Sequence, residues 1–217
     1  SWRLFSKPER HSMAKPKVIF HVGGPEQMHP ATEQARCVAQ WLGEDYDCEL
    51  HDGIDAFDRL EAADLLVVMG MHWTGMTGDN FGNLTYRPPE ARHKQALEDY
   101  AAAGKPIVAH HAGVSSYDDW PRFAELVGWQ WVWDQSTHSP FDTWTIRVLD
   151  DHPTVTELRD FEIDDELYYQ IRVAEGLDAQ VHAVADYEGM ALPMVSTAEP
   201  AMGRRVYLAN GHDMRTF

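Results

Sequence analysis

The stretch VIFHVGGP, residues 18–25, is the part of the sequence that most directly indicates the fold. Its first three residues form an apolar run typical of a buried strand, and the glycines and proline that follow indicate a turn. Residues 31–42 carry apolar side chains at helical spacing, and Gly43 favours a helix that ends there. A second apolar run, LLVVM at residues 65–69, predicts another buried strand. Strand, helix and strand in this order predict a βαβ unit with parallel strands.

The same alternation continues along the chain. A helix at residues 90–103 and a strand at 107–110 add to the predicted sheet. Further elements are predicted as strands at 48–50, 129–133, 143–149, 181–185 and 204–209, a helix at 118–127, and a short helix after the capping-box pair Thr154 and Glu157. We therefore expect one α/β domain over residues 17–217, with a doubly wound, mostly parallel sheet of the flavodoxin-like type. Residues 1–16 are expected to be a leader or an extended N-terminus.

The net charge and the cysteine content limit the classes of partner and the cellular compartment that are expected for this chain. The 217 residues carry a formal net charge of -17, which repels phosphate backbones and anionic membranes and so argues against nucleic acid and membrane partners. A small neutral sugar or a divalent cation is compatible with this charge. Cys37 and Cys48 form no C-x-x-C pair, which favours a reducing compartment, and the sequence shows neither a membrane-spanning run nor a signal peptide. A cytoplasmic location is therefore expected.

Histidines fall at the ends of three predicted parallel strands. His21 and His29 follow the first strand, His72 follows the strand at 65–69, and His110 and His111 close the strand at 107–110. Ligands of open parallel sheets bind at the carboxyl ends of the strands, so this clustering favours one site there. With 12 histidines in the chain, coincidence is the competing explanation. Adjacent strand residues point to opposite faces, so only one of His110 and His111 is expected to face the site unless a sharp turn intervenes.

One segment, GKPIVAHHAGVSS at residues 104–116, resembles the signature of the trehalose-utilisation (ThuA-like) family. In that signature a glycine and a buried strand lead into a His-Ala-Ala/Gly elbow with a following serine. Four further matches occur in the family's order: Gly128 with His138, Val148 with His152-Pro153, the DELY segment at 165–168, and Gly211-His212 after the strand at 205–208. Together the matches extend over residues 17–212.

The resemblance implies a fold of the class I glutamine-amidotransferase type in a protein of sugar catabolism. Members of the family often occur beside oxidoreductases that make 3-keto sugars. The amidotransferase relatives carry a nucleophilic cysteine at the elbow, and His111 matches that position here. Thioester chemistry requires a thiolate, so we expect no glutaminase activity.

The resemblance also implies which residues form the site. By matching position, the catalytic candidates are His111, His138, Glu166 and His212, and we expect these four to meet in one pocket at the carboxyl edge of the sheet. Imidazole and carboxylate groups suit general acid/base work. Glu166 is interpreted as a general base or a metal ligand.

Three further residues are substrate-binding candidates. His29 and His72 follow strand ends, and Trp73 lies next to one, where its ring could stack on a pyranose. The other tryptophans are expected in the core or in a subunit interface. The Trp-rich segment from Trp129 to Trp144 predicts a homo-oligomer, most simply a homodimer, because it offers more aromatic surface than one small domain readily hides.

Two chemistries remain open for these residues. His111, His138 and His212 could supply imidazole nitrogens to a divalent metal, zinc or manganese, with Glu166 adding a carboxylate oxygen. A metal-free acid/base site would use the same residues, and their spacing matches no compact metal motif such as H-E-x-x-H. No nucleotide cofactor is expected.

The expected function is that of a carbohydrate-processing enzyme. It would act on a neutral disaccharide or a 3-keto sugar by isomerase, hydrolase or lyase chemistry, through His/Glu acid/base groups with or without a metal. The alternative is a non-catalytic carbohydrate-binding or regulatory subunit that keeps the fold without the chemistry.

Overall fold

The predicted alternation of strands and helices forms a nine-stranded sheet in the computed structural model, which describes residues 14–217. Residues 1–13 of the predicted leader lie outside the described residues. The strands are β1 Lys17–Val22, β2 Asp47–Asp52, β3 Leu65–Val68, β4 Ile107–His110, β5 Trp129–Gln130, β6 Thr137–His138, β7 Asp142–Val148, β8 Phe161–Asp165, β9 Tyr168–Tyr169, β10 Arg172–Val173, β11 Gln180–Tyr187, β12 Met190–Ala198 and β13 Arg205–Leu208.

Helices connect the strands in the first half of the chain. The α-helices are α1 Ala31–Leu42, α2 Gly78–Phe81, α3 Ala91–Ala102 and α4 Pro121–Val127, and 3-10 segments occupy Gly43–Asp45, Gly53–Ala62 and His111–Ser115. None of the helices between residues 14 and 217 combines the length and the apolar character that crossing a membrane requires.

The order of the strands decides where a site can form. Five parallel strands lie in the order β2-β1-β3-β4-β13, which is 2-1-3-4-5 when they are numbered among themselves. This is the doubly wound order of flavodoxin-like folds, so the predicted α/β class is confirmed. The antiparallel strands β12, β11, β7 and β8 extend the sheet beyond β13. In the parallel half, β1, β3, β4 and β13 bring their carboxyl ends to one edge.

The core lies on both faces of the parallel strands. Alternate residues of β1 enter different apolar clusters: Ile19 packs with α3 and α4 on one face, while Val18 and Phe20 pack against α1 on the other. Burial on both faces explains why the parallel strands appear in the sequence as continuous apolar runs.

Three predicted elements differ from the structure. The prediction of a short helix after Thr154 is wrong, because residues 153–157 form turns. Glu157 has a φ of 68°, which a helix does not allow, and the backbone N–H of Thr154 donates to Nδ1 of His152. The strand predicted at 129–133 is only the two-residue β5, which pairs with β10 outside the main sheet. The helix predicted at 118–127 begins at Pro121, because proline is favoured in the first turn of a helix.

The Trp-rich segment packs mainly within its own chain. Its four tryptophans each lie against an aromatic ring: Trp129 on Tyr207, Trp131 on Tyr168, Trp133 on Trp73 and Trp144 on Tyr187. The surface on which the oligomer prediction rested is therefore largely covered. Oligomerisation itself stays a prediction.

Candidate functional site

The elbow after β4 presents His111 to the carboxyl edge of the sheet. His111 has a φ of 40°, a left-handed conformation that only a few per cent of non-glycine residues adopt and that clusters at functional sites. This sharp turn separates the two adjacent histidines. His110 lies against Phe217, with ring centroids 5.8 Å apart, whereas the His111 ring lies 4.0 Å from that of Tyr168.

A backbone carbonyl orients the His111 ring. Nδ1 of His111 donates a hydrogen bond to the Ala209 carbonyl at 2.6 Å, since a carbonyl can only accept. Ala209 directly follows β13, the parallel neighbour of β4. Nε2 of His111 therefore faces the other way, 3.5 Å from Oε1 of Glu166, and it has no hydrogen-bond partner although the side chain is 1% exposed.

Asp165 is a buried carboxylate that joins the end of β8 to the exit of β13. Its oxygens accept the backbone N–H groups of Gly211 at 2.7 Å, His212 at 3.1 Å and Glu166 at 2.8 Å. These bonds set Glu166 and His212 side by side, although they are 46 residues apart in the chain. In the sequence, Asp165 stands out only as the first residue of the DELY segment. Its signal was an acidic residue at the end of a strand, which is too common to indicate a positioning role.

Glu166 is the centre of the site. Its side chain is 7% exposed, and its Oε1 lies 3.1 Å from Nδ1 of His212 as well as 3.5 Å from Nε2 of His111. Its Oε2 lies 3.1 Å from Nδ1 of His138. Burial acts to raise the pKa of the Glu166 carboxyl, but the attraction of His111 and His212 outweighs burial, and the pKa lies well below its usual range. The carboxylate, in turn, raises the pKa of His212.

His29 completes the buried part of the site. It comes from the loop between β1 and α1, and its ring centroid lies 5.1 Å from that of His111 and 4.9 Å from that of His212. Burial, followed by repulsion from His111 and His212, lowers the pKa of His29 to about 3, so this imidazole is neutral. One ligand atom from each of His29, His111, Glu166 and His212 falls within 4.8 Å of the other three. From its position after β1, His29 is predicted to bind substrate, and the structure places it among the buried imidazoles of the site.

His138 lies at the open side of Glu166. The short strand β6 pairs with β9, and Ser139 fixes the pair by donating its N–H to the Leu167 carbonyl and accepting the Leu167 N–H on Oγ. The His138 side chain is 49% exposed, and its Nδ1 is 2.8 Å from the Ser139 carbonyl. His138 thus differs from its predicted place among the metal ligands. Nδ1 of His138 lies against the Ser139 carbonyl and Oε2 of Glu166, whereas His111 and His212 lie against Oε1.

Two predicted substrate-binding residues do not contact Glu166. His72 is buried, with Nε2 2.9 Å from the Val22 carbonyl and its backbone N–H donated to Ser116 Oγ, so its contacts tie β3 to β1. Trp73 packs in an apolar cluster with Met71 and Met76.

A row of aromatic rings, called here the aromatic wall, extends from His111 through Tyr168, Trp131 and Trp133 to Trp73. The ring of Tyr168, 4.0 Å from His111, is followed by Trp131 at 4.8 Å from Tyr168, then Trp133 at 6.0 Å from Trp131 and Trp73 at 5.4 Å from Trp133. The indole N–H groups of Trp131 and Trp133 have no hydrogen-bond partner. The sequence did not place this wall, because the tryptophans alternate along an irregular segment. On the other side, His212 borders a depression of about 700 Å³.

Comparisons with known proteins agree with this architecture. A family model, ThuA, described as trehalose utilisation, matches residues 17–217. A putative ThuA-like protein from Bacteroides uniformis aligns with a TM-score of 0.68 at 14% identity, covering 98% of this chain and 89% of that one. One from Parabacteroides merdae aligns with a TM-score of 0.67 at 14% identity, covering 91% and 79%. A glutamine amidotransferase from Thermotoga maritima has a TM-score of 0.51 at 10% identity, covering 91% and 76%. A comparison with curated protein sequences gave no match.

Proposed function

Because the chain belongs to the ThuA family of trehalose utilisation, we propose that it is an enzyme that transforms a neutral disaccharide or its 3-keto derivative at the site around Glu166. The observation that carries the proposal is the convergence of His29, His111, His138 and His212 on one buried carboxylate at the carboxyl edge of the sheet. Ligand sites of this architecture form at that edge. Three of the buried imidazole nitrogens that lack hydrogen-bond partners, on His29, His111 and His212, surround this one carboxylate.

The arrangement favours proton transfer beside a carbonyl over glycoside hydrolysis. Most glycoside hydrolases flank the scissile bond with two carboxylates, one as acid and one as base or nucleophile. The carboxylate directly before Glu166 in the sequence is Asp165, and its oxygens already accept three backbone N–H groups. A single carboxylate with several imidazoles instead suits isomerisation or elimination of a 3-keto sugar, in which a proton leaves the carbon next to the carbonyl.

His138 is the residue we assign to that proton transfer. It is the half-exposed imidazole of the group, and Glu166 Oε2 and the Ser139 carbonyl both hold its Nδ1, so Nε2 is the nitrogen that remains to accept a proton from substrate. Imidazole is the side chain that most often acts as a general acid or base in enzymes. The neighbouring Trp131, whose ring centroid lies 6.5 Å from that of His138, offers an aromatic face to the sugar ring.

The test is product analysis with a panel of disaccharides and their 3-keto derivatives in deuterated water. We expect deuterium to enter at the carbon next to the carbonyl, and Glu166→Gln and His138→Gln each to lower kcat by about 10²-fold or more. His51→Gln is the matched control, because His51 pairs with Glu49 on the edge strand β2, away from the site. Sugar binding with no exchange and no product for any member of the panel would refute the enzyme and identify a carbohydrate-binding or regulatory protein.

A further inference from the structure

We infer that His29, His111, His212 and Glu166 bind one divalent metal ion, zinc or manganese, in a His₃Glu site. The inference deepens the proposed function, since it adds a cofactor to the same site, but metal binding is measurable without any turnover. Each of the four residues offers a ligand atom within 4.8 Å of the others.

The first argument is the set of buried nitrogens without partners. Nδ1 of His29, Nε2 of His111 and Nδ1 of His212 are all buried and lack hydrogen-bond partners. Nδ1 of His212 lies 3.1 Å from Oε1 of Glu166, but this contact does not have the direction of a hydrogen bond. Buried polar atoms are almost always paired, so three orphans around one carboxylate require an explanation. His111 and His29 are 1% and 6% exposed, which leaves little room for bulk water to satisfy them.

The second argument is electrostatic. Nδ1 of His111 is committed as a donor to the Ala209 carbonyl, so Nε2 is the nitrogen that faces Oε1 of Glu166, at 3.5 Å. A divalent ion between an imidazole lone pair and a carboxylate oxygen attracts both. One divalent ion satisfies the three lone pairs and the carboxylate together.

The third argument is geometric. Ligands about 2.1 Å from a tetrahedral ion lie about 3.4 Å apart. Oε1 of Glu166 is already 3.1 Å from Nδ1 of His212 and 3.5 Å from Nε2 of His111. All separations in the group are 4.8 Å or less, so side-chain movements of about an ångström bring the ligand atoms to tetrahedral spacing.

The surroundings are those of a metal site. Ligating histidines usually donate their other ring N–H to a carbonyl or carboxylate, as His111 does to Ala209. The carboxylate of Asp165 holds the backbone at both Glu166 and His212. An imidazole-rich set with one carboxylate and no thiolate suits zinc or manganese. The ion would lie beside His138, where it could polarise the carbonyl oxygen of a bound keto sugar.

The experiment measures metal directly. Protein stripped with chelator is titrated separately with Zn²⁺ and Mn²⁺ by calorimetry, and Co²⁺ is added to record the visible absorption of a protein-bound ion. We expect one ion per chain and a binding constant lowered about 100-fold or more in His29→Gln and in His111→Gln. His138→Ala is the matched control, because it removes an imidazole beside Glu166 that lies outside the ligand group, and it should keep the metal while losing turnover.

Two results would overturn the inference. One is wild-type protein that takes up no Zn²⁺, Mn²⁺ or Co²⁺ at micromolar concentration. The other is an ion whose affinity is the same in His29→Gln, His111→Gln and wild type, which would place it elsewhere. Because metal uptake is measured without substrate, either result would leave the proposed function standing. Stoichiometric metal without turnover of any sugar would refute the proposed function and leave the metal site standing.

Discussion

The resemblance of residues 104–116 to the family signature matches His111 to the nucleophile position of the amidotransferases. In this chain His111 has a φ of 40°, and its side chain is an imidazole that donates to the Ala209 carbonyl. Neither cysteine can replace it, since Cys37 belongs to α1 and Cys48 to β2, away from the elbow. The chemistry available at this elbow is therefore that of an imidazole.

We predict that the protein releases no ammonia from glutamine, because thioester formation needs a thiolate at the elbow. The measurement is a coupled ammonia assay at millimolar glutamine, with a cysteine-dependent amidotransferase as the positive control. Ammonia release at an enzymatic rate, lost in His111→Gln, would contradict the prediction.

Asp165 acts through its neighbours and is a positioning residue. Asp165→Asn keeps the shape but turns an N–H₂ group toward backbone donors, so we expect a loss of about 1–3 kcal/mol in the free energy of unfolding. Because Glu166 and His212 lose their backbone anchor, zinc affinity should also fall about 10- to 100-fold. Asp164→Asn is the control, because Asp164 is exposed and binds only Thr143 by its side chain. Equal zinc affinity and stability in the two variants would show that Asp165 has no such role.

At the scale of the elements, the site depends on how β13 ends. The strand runs parallel to β4, with Leu208 opposite His110, so the chain leaves the sheet beside the elbow and returns His212 toward Glu166. Gly211 makes this path possible. Its φ is 128°, and a Cβ there would lie 2.1 Å from the His110 ring.

Gly211→Ala is therefore expected to destabilise the fold by about 2 kcal/mol or more, through both backbone strain and overpacking. Gly176→Ala is the matched control, because Gly176 also has a positive φ, 75°, but a Cβ there would meet no atom within 4 Å. Urea unfolding of both variants measures the difference. If Gly211→Ala lowers the free energy of unfolding no more than Gly176→Ala does, crowding at the exit of β13 is not the reason for a glycine at position 211.

At the scale of the whole molecule, several histidines are buried away from the Glu166 site. Burial, reinforced by His72, holds the pKa of His21 well below its usual range, and burial also lowers the pKa of His72. The folded protein keeps both imidazoles neutral at a pH at which the unfolded chain would bind protons. Stability from these groups is therefore present above a pH of about 6.5 and is lost as the pH falls below it.

We predict that the free energy of unfolding decreases from pH 6.5 to pH 4.5, by up to about 1.4 kcal/mol per pH unit for each fully titrating histidine. Urea unfolding at a series of pH values measures the slope. His21→Gln, which can keep a hydrogen bond to Tyr117, should reduce it. A stability that is constant or rises on acidification over this range would contradict the prediction.

The homodimer is a prediction for the assembled molecule. The tryptophans of residues 129–144 pack within the chain, so a dimer would need other surface, and Trp41, 65% exposed on α1 beside Phe217, is the largest exposed ring among the described residues. Light scattering at micromolar concentration should give twice the chain mass of 24.7 kDa. A mass of one chain would contradict the prediction, and loss of the dimer in Trp41→Ser would place the interface on α1.

The sequence by itself determined the parallel strands of the sheet and the fact that the residue at position 111 is a histidine and not a cysteine. Runs such as residues 18–20 and 65–69 are apolar because both faces of each strand are buried, and that requirement is local to the strand. The same locality explains the failures. The strands β5, β6, β9 and β10 have two residues each and are defined by their hydrogen-bonded partners. Two residues are too few to show the alternation of polar and apolar side chains from which a strand is predicted.

Only the tertiary structure decided the composition of the site. His111, His212 and Glu166 were grouped by family resemblance, but nothing in the spacing separates His29, which joins the buried cluster, from His72, which binds the Val22 carbonyl. Both follow parallel strands, and they differ in the residues that their rings contact: Val22 for His72, and His111 and His212 for His29. Such placement depends on contacts between residues far apart in the chain, among them the bonds from Asp165 to Gly211 and His212 that draw Glu166 to the exit of β13.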